Sequence, residues 1–131
     1  MTDASLTVAL VTEVFTGPAG TDRLAERLME ARRRGADLAI LPQLPLDSWS
    51  PALQDPRDDD AEDPQGPRHR AQAAAARGAG IAVLGAAIVR DPATGKRHNT
   101  ALLFGADGAL LTAYRKVHLS FRPAVHAEGW R

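Results

Sequence analysis

Two short segments place a polar side chain just past the end of an apolar run, where it is available for chemistry. In Leu38-Ala39-Ile40-Leu41-Pro42-Gln43-Leu44-Pro45-Leu46 that residue is Gln43; in Tyr114-Arg115-Lys116-Val117-His118-Leu119 it is Lys116. If the apolar runs are strands of an open α/β sheet, their ends are the edge at which ligands and catalytic groups collect. Each residue also has a plain structural reading, Gln43 as a turn residue and Lys116 as one solvated member of an Arg-Lys pair. Other chemistries find less support. The chain has no cysteine, so it offers no thiolate, no disulfide framework and no thiolate metal site. The serines beside Trp49, and Ser120, lack the Gly-x-Ser-x-Gly elbow of a serine nucleophile. His69, His98, His118 and His126 lack metal-ligand spacing such as His-x-x-x-His. The run Asp58-Asp59-Asp60-Ala61-Glu62-Asp63 lacks the spaced ligands and central glycine of a calcium loop and reads as solvated charge. Neither a metal nor an organic cofactor is expected.

The elements that must position Gln43 and Lys116 follow from pattern. Leu6 to Val11 is an apolar run of strand length, and Gly17-Pro18-Ala19-Gly20 is a turn. Thr21 is the expected cap of a helix over 21–34, with Asp22 in its first turn, Leu24, Leu28 and Ala31 at helical spacing, and Gly35 as its stop. A second strand over 38–42 ends at Pro42. Strand, helix, strand with short connections is a βαβ unit, and strands apolar on both faces suit a covered parallel sheet. A long polar loop runs from Asp47 to Pro67. An alanine-rich helix over 68–77 ends at Gly78 and Gly80, and 81–89 reads as a third buried strand. Turns at 91–95 and 105–108 then set off strands over 98–104 and 109–114, so the sheet turns antiparallel.

Sixteen basic residues balance sixteen acidic ones, so no net field favours nucleic acid or an anionic membrane. Arg32-Arg33-Arg34 is the densest basic run, and it ends a predicted helix, where cations complement the dipole. No run approaches the roughly 18 apolar residues of a membrane span, and the acidic start Met1-Thr2-Asp3 is unlike a signal peptide. A cytoplasmic protein is expected.

Taken together and in this order, the two segments resemble the nitrilase superfamily of carbon–nitrogen hydrolases. The first is similar to that family's buried strand, proline, glutamate and apolar stretch leading to an aromatic, here Trp49. The second matches its Tyr-Arg-Lys-x-His-Leu lysine motif. Between them, His98-Asn99-Thr100-Ala101-Leu102-Leu103-Phe104 and Asp107-Gly108 resemble the family's Asn-Thr strand and glycine turn. The resemblance implies the N-terminal half of an α-β-β-α sandwich, with a partial domain over 1–119 and a divergent tail over 120–131.

It also implies roles. In the family a thiolate attacks an amide or nitrile carbon, a glutamate takes the thiol proton, and a lysine stabilises the charged intermediate. Lys116 stands at the lysine position and Gln43 at the glutamate position. His118, within the lysine motif, is expected to order the strand end rather than to transfer a proton. Gln43 is neutral and cannot act as a carboxylate base, and the family's cysteine lies beyond the lysine motif, where this chain has none. Three readings remain open: a truncated hydrolase domain that is inactive alone, a non-catalytic binding or regulatory module, and one half of a split enzyme. The expected partners are a small-molecule amide or nitrile, a missing C-terminal half or a second copy, but not nucleic acid or a membrane. Half a sandwich would leave apolar strand faces uncovered.

Overall fold

The computed structural model describes residues 3–47 and 61–117. Trp49, the rest of the 48–60 loop, His118, Leu119 and the tail from 120 onward lie outside the described residues. The elements are β1 (Val8–Leu10), α1 (Gly20–Arg33), β2 (Leu38–Ile40), α2 (Pro67–Ala79), β3 (Ala82–Arg90), β4 (Arg97–Phe104) and β5 (Leu110–Arg115). They form one mixed α/β sheet in the order β1-β2-β3-β4-β5. The β1–β2 and β2–β3 pairs are parallel, and β3–β4 and β4–β5 antiparallel. Every expected strand and helix is present, with β1 and β2 shorter than anticipated. Pro42, which has no N–H to donate, ends the β2 ladder one residue after the Leu41 N–H bonds the Leu84 carbonyl at 2.9 Å.

Helix α1 differs at its start. Ala19, not Thr21, is the N-cap and no side chain caps it; Thr21 lies inside the first turn with Asp22. The tight turn Gly17-Pro18-Ala19-Gly20 winds directly into the helix, with the Gly20 N–H bonding the Gly17 carbonyl at 3.0 Å. At the other end Arg32 and Arg33 occupy the last turn and Gly35 takes the left-handed conformation, φ 90°. Both follow from dipole and steric requirements.

Both helices cover the same sheet face. Leu24, Leu28 and Ala31 of α1 and Ala75 and Ala76 of α2 bury against Ala39, Val83, Ala87, Leu102 and Phe104. The opposite face is largely open. Val8 and Leu10 of β1, and Tyr114 of β5, are exposed, Leu10 at 73% and Tyr114 at 63%. Cross-strand partners share a face, so the pairs Val8↔Leu38, Leu10↔Ile40, Ile40↔Leu84, Leu84↔Leu103 and Ala101↔Tyr114 mark this as one continuous, mostly apolar surface. The expectation of two covered faces holds for one.

The acidic run is not all solvated. Glu62 is buried, at 7% exposure. Its N–H bonds the Ile88 carbonyl at 2.9 Å and its carbonyl accepts from the Arg90 N–H at 2.8 Å, extending β3's pairing beyond β2. Its carboxylate takes the N–H groups of Arg68 and His69 at 2.9 and 3.1 Å, filling the donors that open α2. Arg68 reaches Asp47 at 2.9 Å and Glu62 at 3.9 Å.

Candidate active site

Gln43 and Lys116 line one depression of about 300 Å³ where β2 ends beside β3, β4 and β5. Its polar side chains are Gln43, Asn99, Tyr114 and Lys116, set among apolar residues such as Ile40, Leu84 and Ala101. The parallel alignment of β2 with β3 delivers Gln43 to this edge, three residues past Ile40. The two antiparallel reversals bring the start of β4 and the end of β5 back to it. Lys116 stands one step past the last paired residues of β5, its N–H donating to the Asn99 carbonyl at 2.8 Å. Residues facing each other across this ladder project from the same side, which sets Asn99 and Lys116 as neighbours.

Gln43 is exposed and Lys116 half-buried. The ladder beneath Lys116 is braced at Arg115, whose guanidinium donates to the Asp91 carboxylate at 3.1 Å. Asp91 in turn accepts the Ala93 N–H at 2.9 Å. That backbone bond, with the Arg115 charge, holds the Asp91 carboxyl below its ordinary pKa.

Chemically the depression offers one cation and two side-chain amides beside a phenol, all able to donate hydrogen bonds. That set suits a carbonyl or nitrile group that gains negative charge. None of its described lining residues is a carboxylate. Among the described residues no group of His, Asp and Glu could hold a metal ion, and no helix is long and apolar enough to cross a membrane.

Sequence reasoning assigns neither Asn99 nor Tyr114 to the site. Tyr114 precedes Lys116 by two, and alternate residues of a strand share a face, so its place was legible; Asn99 comes in only through the β4–β5 pairing, its carbonyl accepting the Lys116 N–H.

No curated protein sequence matches the chain, but solved structures do. Nit3 of Saccharomyces cerevisiae, a member of the nitrilase superfamily, matches with a TM-score of 0.72 at 24% identity, over 96% of this chain and 48% of that one. The carbon–nitrogen hydrolase of Helicobacter pylori matches with a TM-score of 0.70 at 21% identity, over 86% of this chain and 40% of that one. A double mutant of the amidase from Nesterenkonia sp., with a glutamate changed to glutamine and a cysteine to alanine, is solved in complex with acrylamide. It matches with a TM-score of 0.69 at 23% identity, over 96% and 47% of the two chains. At these identities the likeness is one of fold, and this chain spans less than half the length of each. The carbon–nitrogen hydrolase family model matches residues 10–129, nearly the whole chain, which therefore belongs to the carbon–nitrogen hydrolase family.

Proposed function

We propose that this chain is the lysine-bearing part of a carbon–nitrogen hydrolase, binding a small amide or nitrile in the Gln43–Lys116 depression without hydrolysing it alone. The observation that carries this is the shared depression, lined by a lysine and a glutamine in a chain of 131 residues without a cysteine. The Lys116 ammonium is the donor for the substrate's carbonyl oxygen or nitrile nitrogen. Gln43 donates or accepts one hydrogen bond but takes up no proton.

Hydrolysis of an amide needs a further group. A thiolate adds to the carbonyl carbon, forming a C–S bond as the π electrons move to oxygen, where the Lys116 charge stabilises them. The C–N bond then breaks with protonation of the leaving amine, and water cleaves the thioester. Any such thiolate comes from outside these 131 residues, and the proton transfers lack a carboxylate at position 43. The open, mostly apolar sheet face that carries the depression favours assembly with a further protein segment, since sheets of this kind bury such faces against a second layer. The Nesterenkonia double mutant, which lacks one glutamate carboxylate and one thiol, holds acrylamide; binding without those groups is therefore chemically reasonable here.

Acrylamide titrated into the ¹⁵N-labelled chain tests this. Signals of Asn99, Ala101, Tyr114 and Lys116 should shift together, and Lys116→Met should weaken binding about tenfold, the loss of one charge-assisted hydrogen bond. Shifts confined to other surfaces, or binding indifferent to Lys116→Met, would refute the reading.

A further inference from the structure

Leu44, directly after Gln43, has a left-handed backbone with φ 52°. A leucine gains nothing there sterically, since glycine and short polar residues are the ones that visit this region routinely. Such a conformation persists where surrounding structure holds it, often beside functional groups. Here the holding contacts are identifiable. The Leu44 side chain is buried and packs with Ala86 and Ile88 of β3 and with Ala61. Ile88 faces Asn99 and Ala86 faces Ala101 across the β3–β4 ladder. Leu44 is thus seated on β3, one of the strands that line the depression.

The chain is tied down on both sides of the bend. Before it, Leu41 is buried in the main core beneath the helices, and its N–H bonds the Leu84 carbonyl at 2.9 Å. After it, the Phe15 N–H donates to the Pro45 carbonyl at 2.8 Å, the Asp47 N–H donates to the Leu44 carbonyl at 3.3 Å, and Arg68 holds Asp47 at 2.9 Å. Gln43 stands exposed between two residues buried in two different clusters. We infer that Leu44 is a positioning residue for this site: its left-handed backbone and buried side chain keep Gln43 at the crest of the bend, directed at the depression it shares with Lys116. This rests on the reading of that depression as the substrate site, yet it can be tested separately.

The test follows the side-chain amide signals of Gln43 in the ¹⁵N-labelled full chain, assigned by their loss in Gln43→Glu. Lys116→Met removes a charge from the depression and should displace those signals in the otherwise unaltered protein. In a Leu44→Gly background, which frees the backbone and removes the anchor, the displacement should fall to about half or less, the mark of lost coupling. Leu44→Met, close in volume, should retain it. If Leu44→Gly does not fold, Leu44→Ala gives the same reading with a shortened anchor. A merely structural Leu44 would lower the melting temperature and leave the displacement unchanged, which would overturn the inference. So would the absence of any displacement in the unaltered protein. Failure to bind acrylamide with the displacement intact would instead overturn the proposed function and leave the role of Leu44 standing.

Discussion

Gln72 of α2 hydrogen-bonds both backbone groups of Ala86 on β3. Its amide N–H donates to the Ala86 carbonyl at 3.0 Å, and its carbonyl oxygen accepts the Ala86 N–H at 3.1 Å. β2's last paired residue is Ile40, opposite Leu84, so among the described residues no strand pairs on that side with Ala86, two residues further along β3. The fully buried Gln72 side chain supplies the missing partner, and a third bond ties it to the Arg68 carbonyl at 3.1 Å. The edge beside the candidate site is closed by a side chain in place of a strand.

Gln72→Ala should therefore destabilise the fold by about 3 kcal/mol, because it leaves a buried N–H and C=O unpaired. Gly85→Ala should cost about 1–3 kcal/mol, since the new methyl would run into the Gln72 carbonyl oxygen. The double variant should cost less than the sum of the two single costs. Urea titrations of the four proteins check this; strict additivity would show that Gln72 and Gly85 are not in contact.

The Arg68 guanidinium lies beside both Asp47, at 2.9 Å, and Glu62, at 3.9 Å. Asp47 and Glu62 are 2% and 7% exposed. Arg68→Met should cost about 3–5 kcal/mol by removing one partner of a buried ion pair. Adding Asp47→Asn should recover part of that loss. A denaturation midpoint unchanged in Arg68→Met would contradict the assignment.

His69 makes an edge-on contact with the Phe104 ring, centroids 5.1 Å apart. Burial lowers its pKa below 6.5, against a smaller opposite pull from Glu62. The unfolded chain then binds the proton more readily. His69 contributes its full stability above pH 6.5, and that contribution is lost as pH falls through this value toward the folded pKa. Melting temperatures measured between about pH 7.5 and about pH 5 should fall less steeply in His69→Gln than in the unaltered chain. An equal slope would assign the pH dependence elsewhere.

The order and type of every element were legible, because hydrophobic period and turn residues act locally. The convergence of Gln43 and Lys116 was legible too, since a parallel start and antiparallel finish bring both strand ends to one edge. What escaped depends on tertiary neighbours. Glu62 sits in a run of acids that reads as solvated charge, and only its place against Ile88 and α2 makes it a buried cap. Gln72 lies in an alanine-rich helix where nothing in the local pattern singles it out; its role exists because β2 stops short of Ala86. Thr21 carries the right side chain for a cap, yet the turn before it delivers the chain into the helix two residues earlier.

If a cysteine-bearing segment is supplied to cover the open sheet face, weak amide turnover should appear. Gln43→Glu in that complex should raise it by about 10²–10⁴-fold, the usual contribution of a positioned general base. Lys116→Ala should abolish it by removing the charge opposite the developing oxyanion. Turnover of the complex that is indifferent to position 43 would remove Gln43 from the site.

The most direct measurement is ammonia release from acrylamide by the purified 131-residue chain, beside its Gln43→Glu and Lys116→Ala variants. No release above background is expected from any of the three, because no thiolate can form in a chain without cysteine. Restoring a base where there is no nucleophile gives it no proton to remove. Sustained release by the unaltered chain, undiminished by Lys116→Ala, would contradict the site and the function proposed for it.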